Sequence, residues 1–253
     1  MQLHYIANAG VASTSGRTIA VIDPSDGQPY DEIQRGTAED IDAAVRAAQQ
    51  CYDTVWRKLA PAERGRLLQR LSAKITEHAE ELAAIEQRDC GKPTRQARAD
   101  AAALARYFEF YAGACDKLHG ETIPYQDGFS VLTWREPHGV TGHIVPWNYP
   151  MQIFGRCVGA ALAAGNVCVV KPAEDACLSL LRVAQLAAEA GFPAGALNIV
   201  TGYGHEVGDA LARHPGIHHI SFTGSPKVGT LIQQAAAERH CPVTLELGGK
   251  SPQ

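Results

Sequence analysis

The chain has 253 residues, of which 45% are hydrophobic and 20% are charged, and its formal net charge at pH 7 is −4. This length allows one or two domains with a real core, and the composition is ordinary for a soluble globular protein. The slightly acidic balance argues against nucleic acid or an anionic membrane as a partner. No apolar run reaches the length that spans a bilayer, so we expect no membrane partner.

The cysteines and the first residues bear on the cellular compartment. Seven cysteines are present, an odd number, and no two are spaced as C-x-x-C. This pattern indicates neither a disulfide framework nor a zinc site, so no metal is predicted. The opening residues MQLHYIANAG lack a basic stretch followed by an apolar one, so we expect no secretory signal. A reducing, cytoplasmic location fits these features.

The first half of the chain is predicted to be mostly helical. Residues 17–36 form short strands around the turn DPSDG, where Pro and Gly punctuate the pattern. A helix follows with Thr37 as its N-cap. A second helix is predicted from Pro61 to the CGKP stop at 90–93, because leucines recur at helical spacing throughout. A third spans about 94–113.

The second half of the chain has a different pattern, in which short β-rich runs appear. Residues 119–137 contain two β-rich runs joined by QDGF, which predicts a hairpin. Five short apolar runs then follow: VTGHIVP, NVCVVKP, ALNIVTG, HHISFTG and PVTLELGG. Each of the first four precedes a helical segment, at about 150–164, 176–190, 205–213 and 226–238. Alternating strands and helices predict an α/β fold with a doubly wound, mostly parallel, buried sheet.

Ligands of such sheets bind beyond the carboxyl ends of the strands. Polar residues or glycines occur at all five predicted strand ends: Pro146 to Asn148, Lys171 to Glu174, Gly202 to Gly208, Thr223 to Ser225, and Glu246 to Gly249. We expect these five segments to converge in space.

Two glycine motifs have competing interpretations. GYGHEVG contains Gly204 and Gly208 but has one residue more than the dinucleotide fingerprint G-x-G-x-x-G, and a plain strand-to-helix turn explains it about as well. In FTGSPKVG, Gly224 permits close backbone approach, and the helix start at Ser225 favours a phosphate. The local sequence itself favours the plainer interpretation, in which Ser225 is an N-cap followed by Pro226 at the first helical position.

Three polar side chains also have a functional and a plain interpretation. Lys171 ends an apolar strand and is costly to bury without a partner; Glu174 can accept hydrogen bonds from ribose hydroxyls, or the two can simply pair at the sheet edge. The Asn148 amide can face an oxyanion or merely occupy a turn. Glu246 is a general base if partly desolvated, which raises a carboxyl pKa, or a solvated acid at a strand end.

Taken together, PWNYP, VVKPAE, FTGSPKVG and LELGGKSP, in this order and on these strand ends, resemble the aldehyde dehydrogenase superfamily over almost the whole chain. The resemblance implies NAD(P)-dependent oxidation of an aldehyde to a carboxylic acid through a cysteine thiohemiacetal and a thioester. It also implies a Rossmann-like cofactor domain formed by residues 1–118 and 138–253. The hairpin at 119–137 would be a bridging arm between the subunits of a dimer or tetramer.

The resemblance assigns roles residue by residue. Asn148 matches the amide that holds the oxyanion, and Glu246 matches the general base. The positions matching cofactor-binding residues are Val145, Pro146, Trp147, Lys171, Glu174, Gly204, Gly208, Phe222, Thr223, Gly224, Ser225, Val228 and Leu247. Glu174 favours NAD over NADP, because a carboxylate repels a 2′-phosphate.

One departure concerns the nucleophile. The family's catalytic cysteine lies a few dozen residues after the LELGG glutamate, in a separate catalytic domain, whereas seven residues follow Glu246 here. Cys241 precedes the last strand, at the end opposite Glu246, while Cys157 and Cys177 fall on predicted helices and Cys168 inside a strand. These thiols are interpreted as small buried hydrophobes. The expectation is an N-terminal portion of an aldehyde dehydrogenase, inactive alone.

Two other interpretations stay open. The first is a non-enzymatic dinucleotide-binding or structural module that has kept the fold without the catalytic half. The second is an acyl-phosphate reductase of the same superfamily, against which the LELGGKSP segment argues, since those relatives are not expected to carry the base in this form. The sequence does not identify the aldehyde.

Overall fold

The computed structural model describes residues 1–251, so Pro252 and the end of the LELGGKSP motif lie outside the described residues. Its strands, in chain order, are β1 (His4–Ile6), β2 (Ala9–Val11), β3 (Thr18–Ile22), β4 (Pro29–Gln34), β5 (Thr122–Ile123), β6 (Val131–Leu132), β7 (Val140–Val145), β8 (Val167–Pro172), β9 (Leu197–Ile199), β10 (His219–Gly224) and β11 (Val243–Leu247). Its α-helices are α1 (Ala38–Thr54), α2 (Pro61–Glu77), α3 (Ala79–Cys90), α4 (Thr94–Ala114), α5 (Pro150–Ala163), α6 (Leu178–Glu189), α7 (Asp209–Arg213) and α8 (Pro226–Ala237).

The main sheet has the strand order β11-β10-β7-β8-β9-β1-β2. Strands β7 to β11 are parallel, as predicted, and the chain runs outward from β7 to β9 before returning to β10 on the other side of β7. The α/β, doubly wound prediction is therefore confirmed. The sequence did not reveal β1 and β2, which add an antiparallel hairpin beyond β9.

Helices cover both faces of the sheet. Right-handed crossovers place α5 and α6 on one face, and α7 and α8 on the other. Side-chain contacts agree with this arrangement: a Cβ added at Gly142 of β7 would lie 3.2 Å from Leu211 of α7, and one at Gly229 of α8 would lie 2.7 Å from Leu247 of β11. Strand β8, the middle strand of the seven-stranded sheet, is buried along its whole length.

The predicted helix from Pro61 to residue 90 is wrong in one respect, because the chain forms two helices there. His78, with φ −102° and ψ 17°, leaves the helical conformation and separates α2 from α3. Leu82 stands seven residues after Ile75, and both are fully buried. The apolar pattern therefore continues across the break and conceals it. Gly91 ends α3 in the left-handed conformation, as the CGKP stop predicted.

Two other helix predictions need smaller corrections. The segment predicted as a helix at 205–213 begins with a π-helical turn, Gly204–Gly208, and continues as α7. The helix predicted from 176 begins at Leu178, so Cys177 is its N-cap and not a helical residue. The other two predicted helices of this half correspond to α5 and α8.

The predicted hairpin at 119–137 is confirmed by β5 and β6, which pair antiparallel through Thr122 and Leu132. These two strands form a sheet of their own, apart from the main sheet. Large apolar side chains of the hairpin are exposed, with Trp134 81% and Phe129 67% accessible. Separately, no helix within residues 1–251 is both long and apolar enough to cross a membrane.

Candidate functional site

The predicted site residues gather at one edge of the sheet. Ile144 of β7 lies opposite Lys171 of β8 and opposite Phe222 of β10, and Phe222 lies opposite Leu245 of β11. The carboxyl ends of these four parallel strands are therefore level with one another. This is the edge at which doubly wound sheets bind ligands.

Alternation along the strands divides the predicted residues between the two faces of the sheet. Leu247 faces α8, because it contacts the Gly229 position of that helix. Lys171 and Phe222 share this face through their register with Ile144. Thr223 and Glu246 lie opposite each other and face α5. Val145 also points to the α5 face, where it is buried.

Lys171 and Glu174 form an ion pair on the α8 side of the sheet. The Lys171 residue is 3% exposed, and its ammonium donates to the Glu174 carboxylate at 2.6 Å. An ammonium has three hydrogens to donate. Within residues 1–251 this is its one hydrogen bond to protein. The plain interpretation as a pair is therefore observed, and it leaves donor capacity beside a partly exposed carboxylate.

The start of α8 matches the plain interpretation of FTGSPKVG. The Ser225 hydroxyl accepts a hydrogen bond from the Val228 N–H at 3.3 Å, and Pro226 occupies the first helical position. Gly224 is required by packing, because an added Cβ would lie 2.5 Å from the Phe222 ring. Val228 and Leu231, one turn apart, expose apolar side chains beside this helix start.

Gly204 and Gly208 border the same face through the π-helical turn after β9. An added Cβ at either position would meet no atom within 4 Å, so open space adjoins both glycines. The contacts that hold this turn were not predicted. Arg35 donates to the Glu206 carboxylate at 2.9 Å, and its guanidinium lies 5.0 Å from the centre of the Tyr203 ring.

Asn148 lies on the segment between β7 and α5, next to the partly buried Pro146. Trp147, Asn148 and Tyr149 are all exposed, and Pro150 begins α5. The carbonyl of Trp147 accepts a hydrogen bond from the Cys90 thiol at 3.3 Å. Within the described part of the chain, the Asn148 side chain itself makes no hydrogen bond to protein. Its amide is thus available to a ligand.

Glu246 lines a cavity of about 390 Å³ between α5 and the sheet. The sheet contributes mainly polar side chains to this cavity, and α5 contributes apolar ones such as Ile153 together with the exposed Arg156. Of the two interpretations of Glu246, the solvated acid at a strand end matches the structure, because its side chain is exposed. Its strand lies at the edge of the main sheet, and within residues 1–251 no further strand on the outer side covers the carboxylate.

A buried histidine forms the floor of this cavity. The Thr141 hydroxyl donates to the Val167 carbonyl at 3.0 Å, and so it accepts from His143 Nε2 at 2.9 Å. The Nδ1 atom of His143 then accepts from the Ser221 hydroxyl at 3.3 Å. Burial lowers the pKa of His143 to about 3, which keeps the imidazole neutral.

The polar lining of the cavity was missed from the sequence. His219 and Thr244 hydrogen bond to each other at 3.1 Å, beside Ser221 and Glu246. The signal was present in HISFT and VTLEL, where polar residues alternate with apolar ones. The alternation was not recognised, because both runs were interpreted as apolar strands of a buried sheet.

The seven cysteines are all free thiols, and burial raises the pKa of every one. Cys157 and Cys90 are half-buried, which corrects the expectation that Cys157 is a fully buried hydrophobe. Cys157 lines the cavity that Glu246 also lines, yet its pKa is raised to about 11. Cys241 precedes β11, at the end opposite Glu246, as predicted. Within residues 1–251 no group of three or more His, Cys, Asp or Glu side chains could hold a metal ion.

Comparisons with known proteins agree with this architecture. The model of the aldehyde dehydrogenase family matches residues 11–253. The chain is 47% identical to hydroxyisobutyraldehyde dehydrogenase of Mycolicibacterium austroafricanum over 99% of this chain and 49% of that protein. It is 44% identical to human retinal dehydrogenase 2 over 98% of this chain and 49% of that protein. The chain thus spans about half the length of the curated relatives it matches.

Solved structures give the same result. A candidate aldehyde dehydrogenase from Burkholderia cenocepacia is 73% identical, with a TM-score of 0.98 over 99% of this chain and 53% of that one. The NAD⁺ complex of an aldehyde dehydrogenase from Bacillus cereus is 41% identical, with a TM-score of 0.97 over 99% of this chain and 52% of that one. With its fold, its strand-end residues and its sequence all in agreement, this chain belongs to the aldehyde dehydrogenase family.

Proposed function

We propose that this chain binds NAD on the α8 side of the strand ends and contributes Asn148 and Glu246 to the oxidation of an aldehyde to a carboxylic acid. The observation that carries the proposal is the buried Lys171 ammonium, which has donor capacity to spare beside the Glu174 carboxylate. A vicinal diol such as a ribose matches a neighbouring donor and acceptor of this kind. The NAD complex of the Bacillus cereus relative supports the assignment.

Other features of this face suit a dinucleotide. Val228 and Leu231 offer exposed apolar surface for a flat base. The open space beside Gly204 and Gly208 admits a ligand close to the backbone. We assign Phe222, Gly224, Ser225 and Leu247 to the walls of this site on the α8 side. The other predicted positions, Val145, Pro146, Trp147 and Thr223, lie at the same strand ends, where Val145 and Thr223 face α5, and we assign them to the rim of the site. NAD is favoured over NADP, because Glu174 would repel a 2′-phosphate.

The proposed chemistry places a different residue at each step. Lys171 and Glu174 would hold NAD, which would supply the hydride acceptor once a thiolate has added to the aldehyde carbon. The Asn148 amide donates a hydrogen bond to the aldehyde oxygen as negative charge develops on it. Glu246 takes a proton from the water that releases the acid. The overall change converts aldehyde, NAD⁺ and water to carboxylic acid, NADH and a proton.

The covalent step of this chemistry needs a thiolate. Residues 1–251 hold seven thiols, and burial raises the pKa of each of them, so all are protonated at neutral pH. We infer that the nucleophile does not come from these residues and that the 253-residue chain does not oxidise aldehydes by itself. The aldehyde cavity would be completed by a separate catalytic domain, which also supplies the cysteine.

We propose the following division of the chain. Residues 1–118 and 138–253 form the NAD-binding domain, and residues 119–137 form an arm that bridges subunits. The exposure of Trp134 and Phe129 supports the arm, because large exposed apolar side chains on a hairpin separate from the main sheet favour association with another chain.

A second candidate function is a dinucleotide-binding module without catalysis. The exposed Glu246 carboxylate favours it, because within residues 1–251 this carboxylate is open to water, whereas partial desolvation is the usual way to adapt a carboxyl group as a base near neutral pH. Both candidate functions include NAD binding, but in the second one Glu246 takes no part in aldehyde oxidation.

Calorimetric titration of the pure chain with NAD tests the proposal. We expect saturable binding that weakens in Lys171→Met, because the substitution removes the ammonium and keeps a chain of similar length. Lys74→Met is the matched control, since Lys74 also pairs with a glutamate three residues on but at the surface. Absence of binding at millimolar NAD by the folded chain would overturn the proposal.

A further inference from the structure

A buried ion cluster lies beneath the start of α5. The Lys92 ammonium donates to Glu86 at 2.7 Å and to Asp100 at 2.6 Å. Both carboxylate side chains are fully buried, and the Lys92 side chain is nearly so. Charges are buried in proteins at a high cost unless they are paired. The presence of three charged side chains at this buried position therefore suggests that they have a specific role.

The cluster is attached to the first turn of α5. The second oxygen of Glu86 accepts from the Met151 N–H at 3.3 Å and from the Ser179 hydroxyl at 3.2 Å. The second oxygen of Asp100 accepts from the Gln152 amide at 2.6 Å. One carboxylate thus binds the backbone of α5 and the other binds a side chain on the next residue.

Two residues near the end of α3, Cys90 and Lys92, also contact the residues on both sides of Asn148. The Lys92 ammonium lies 4.8 Å from the centre of the Tyr149 ring, a cation–π distance. The Cys90 thiol, two residues before Lys92, donates to the Trp147 carbonyl. Asn148 lies between these two contacts and makes no hydrogen bond of its own to the described chain. Its placement is therefore set by its neighbours.

The two prolines of PWNYP do not fix the position of Asn148 by themselves, so contacts from other residues are needed. Proline fixes φ at Pro146 and Pro150. The three residues between them are exposed and keep their backbone freedom unless something holds them. Contacts to Trp147, Tyr149 and Met151 all originate within residues 86–100, so one group of residues restrains the whole segment.

We propose that Lys92, clamped by Glu86 and Asp100, is the positioning residue that fixes the loop carrying Asn148 and so aims its amide at the reacting oxygen. The inference rests on the proposed role of Asn148 in the function above. Hydrogen-bond donors for an oxyanion act well only when they are held in place before the reaction.

Selective labelling can test this in the chain as it exists. The sequence contains four asparagines, Asn8, Asn148, Asn166 and Asn198, so ¹⁵N-asparagine labelling gives four side-chain amide pairs in an NMR spectrum. The other three amides donate to backbone carbonyls elsewhere in the fold and act as internal references. Signals of Asn148 are assigned by their disappearance in Asn148→Ser.

The variants are Lys92→Met, which removes the charge, Lys92→Arg, which keeps it, and Lys74→Met as the surface control. We expect Lys92→Met to shift and broaden the Asn148 signals while the three references stay in place. Lys92→Arg should restore the parental position at least in part, and Lys74→Met should change nothing. Where Lys92→Met fails to fold, Glu86→Gln should move the Asn148 signals in the same selective way.

Two results would overturn the proposal. One is an unchanged Asn148 signal in a folded Lys92→Met or Glu86→Gln chain. The other is an equal shift of all four asparagines, which indicates a general loss of packing. NAD titration of the same samples separates the two hypotheses: failure of NAD to bind the parental chain would count against the proposed function, whereas the NMR comparison reports on positioning alone.

Discussion

Thr223 and Glu246 lie directly opposite each other on neighbouring parallel strands, and both face the cavity beneath α5. Lys171, on the other face of the same strand ends, lies in register with Ile144 and Phe222. The sheet therefore separates the proposed base from the proposed ribose contact by its own thickness.

The first prediction concerns Glu174. We expect Glu174→Gln to weaken NAD binding about tenfold, because a hydrogen bond to a charged group contributes about 1.5–3 kcal/mol and tenfold corresponds to about 1.4 kcal/mol. The preference for NAD over NADP should narrow in parallel. Calorimetry with both cofactors measures both effects. Glu77→Gln, in the surface pair with Lys74, is the control, and equal affinities in parent and Glu174→Gln would contradict the ribose assignment.

The second prediction concerns turnover. The pure 253-residue chain, supplied with NAD and a simple aldehyde, should produce no NADH at pH 7.5, because each of its thiols is held protonated by burial. Absorbance at 340 nm measures the product. Steady NADH formation that disappears in Cys157→Ser would show that the half-buried thiol beside Glu246 acts as a nucleophile after all.

The third prediction concerns stability and pH. Burial raises the pKa of Glu86 to about 7, above the ordinary 4.5 of the unfolded chain. The folded state therefore holds this proton more tightly than the unfolded state does. The resulting contribution to the free energy of unfolding is fully present below pH 4.5 and is lost as the pH rises through 7. Other groups titrate in this range as well, and His143, whose pKa is lowered, acts in the opposite direction.

Comparing the parent with Glu86→Gln isolates the contribution of Glu86. The difference between their free energies of unfolding should change by about 2–3 kcal/mol between pH 5 and pH 8, in the direction that disfavours the parent at high pH. Urea unfolding at several pH values gives these energies. Parallel curves for the two proteins would show that Glu86 titrates normally.

The fourth prediction concerns the hairpin arm. Replacing Trp134 and Phe129 by serine should reduce self-association, because both rings are largely exposed on a hairpin separate from the main sheet. Light scattering after size-exclusion chromatography measures the mass against the 27.1 kDa of one chain. Ile22→Ser, at an exposed apolar side chain on β3, is the control. A parental chain that stays monomeric at high concentration would remove the arm from any role in assembly.

Much of the fold could be predicted because its signals are local. The five parallel strands are short apolar runs, and caps such as Thr37 and Gly91 mark helix ends within a few residues. What escaped prediction depends on distant pairing. Strands β1 and β2 have three residues each, and β1 joins the sheet through the single pair Tyr5 and Ile199.

In the site, too, features with a local signal were predicted and features that depend on distant contacts were not. The strand-end residues were found because each follows an apolar run, whereas the exposure of Glu246 depends on its strand lying at the sheet edge. The Lys92 cluster joins residues from two helices, α3 and α4, and from the loop between them, and its members look like ordinary surface charges in the sequence. Nothing local distinguishes Glu86 from Glu80, yet the first is fully buried and the second is exposed.

The division of the site by the sheet has a kinetic consequence. A ligand on the Lys171 side and a ligand in the cavity beside Glu246 approach the same strand ends from opposite directions. In residues 1–251 the proposed NAD site and this cavity therefore open on different faces of the sheet. Under the proposed function, we expect random-order binding, in which neither ligand must arrive or depart first.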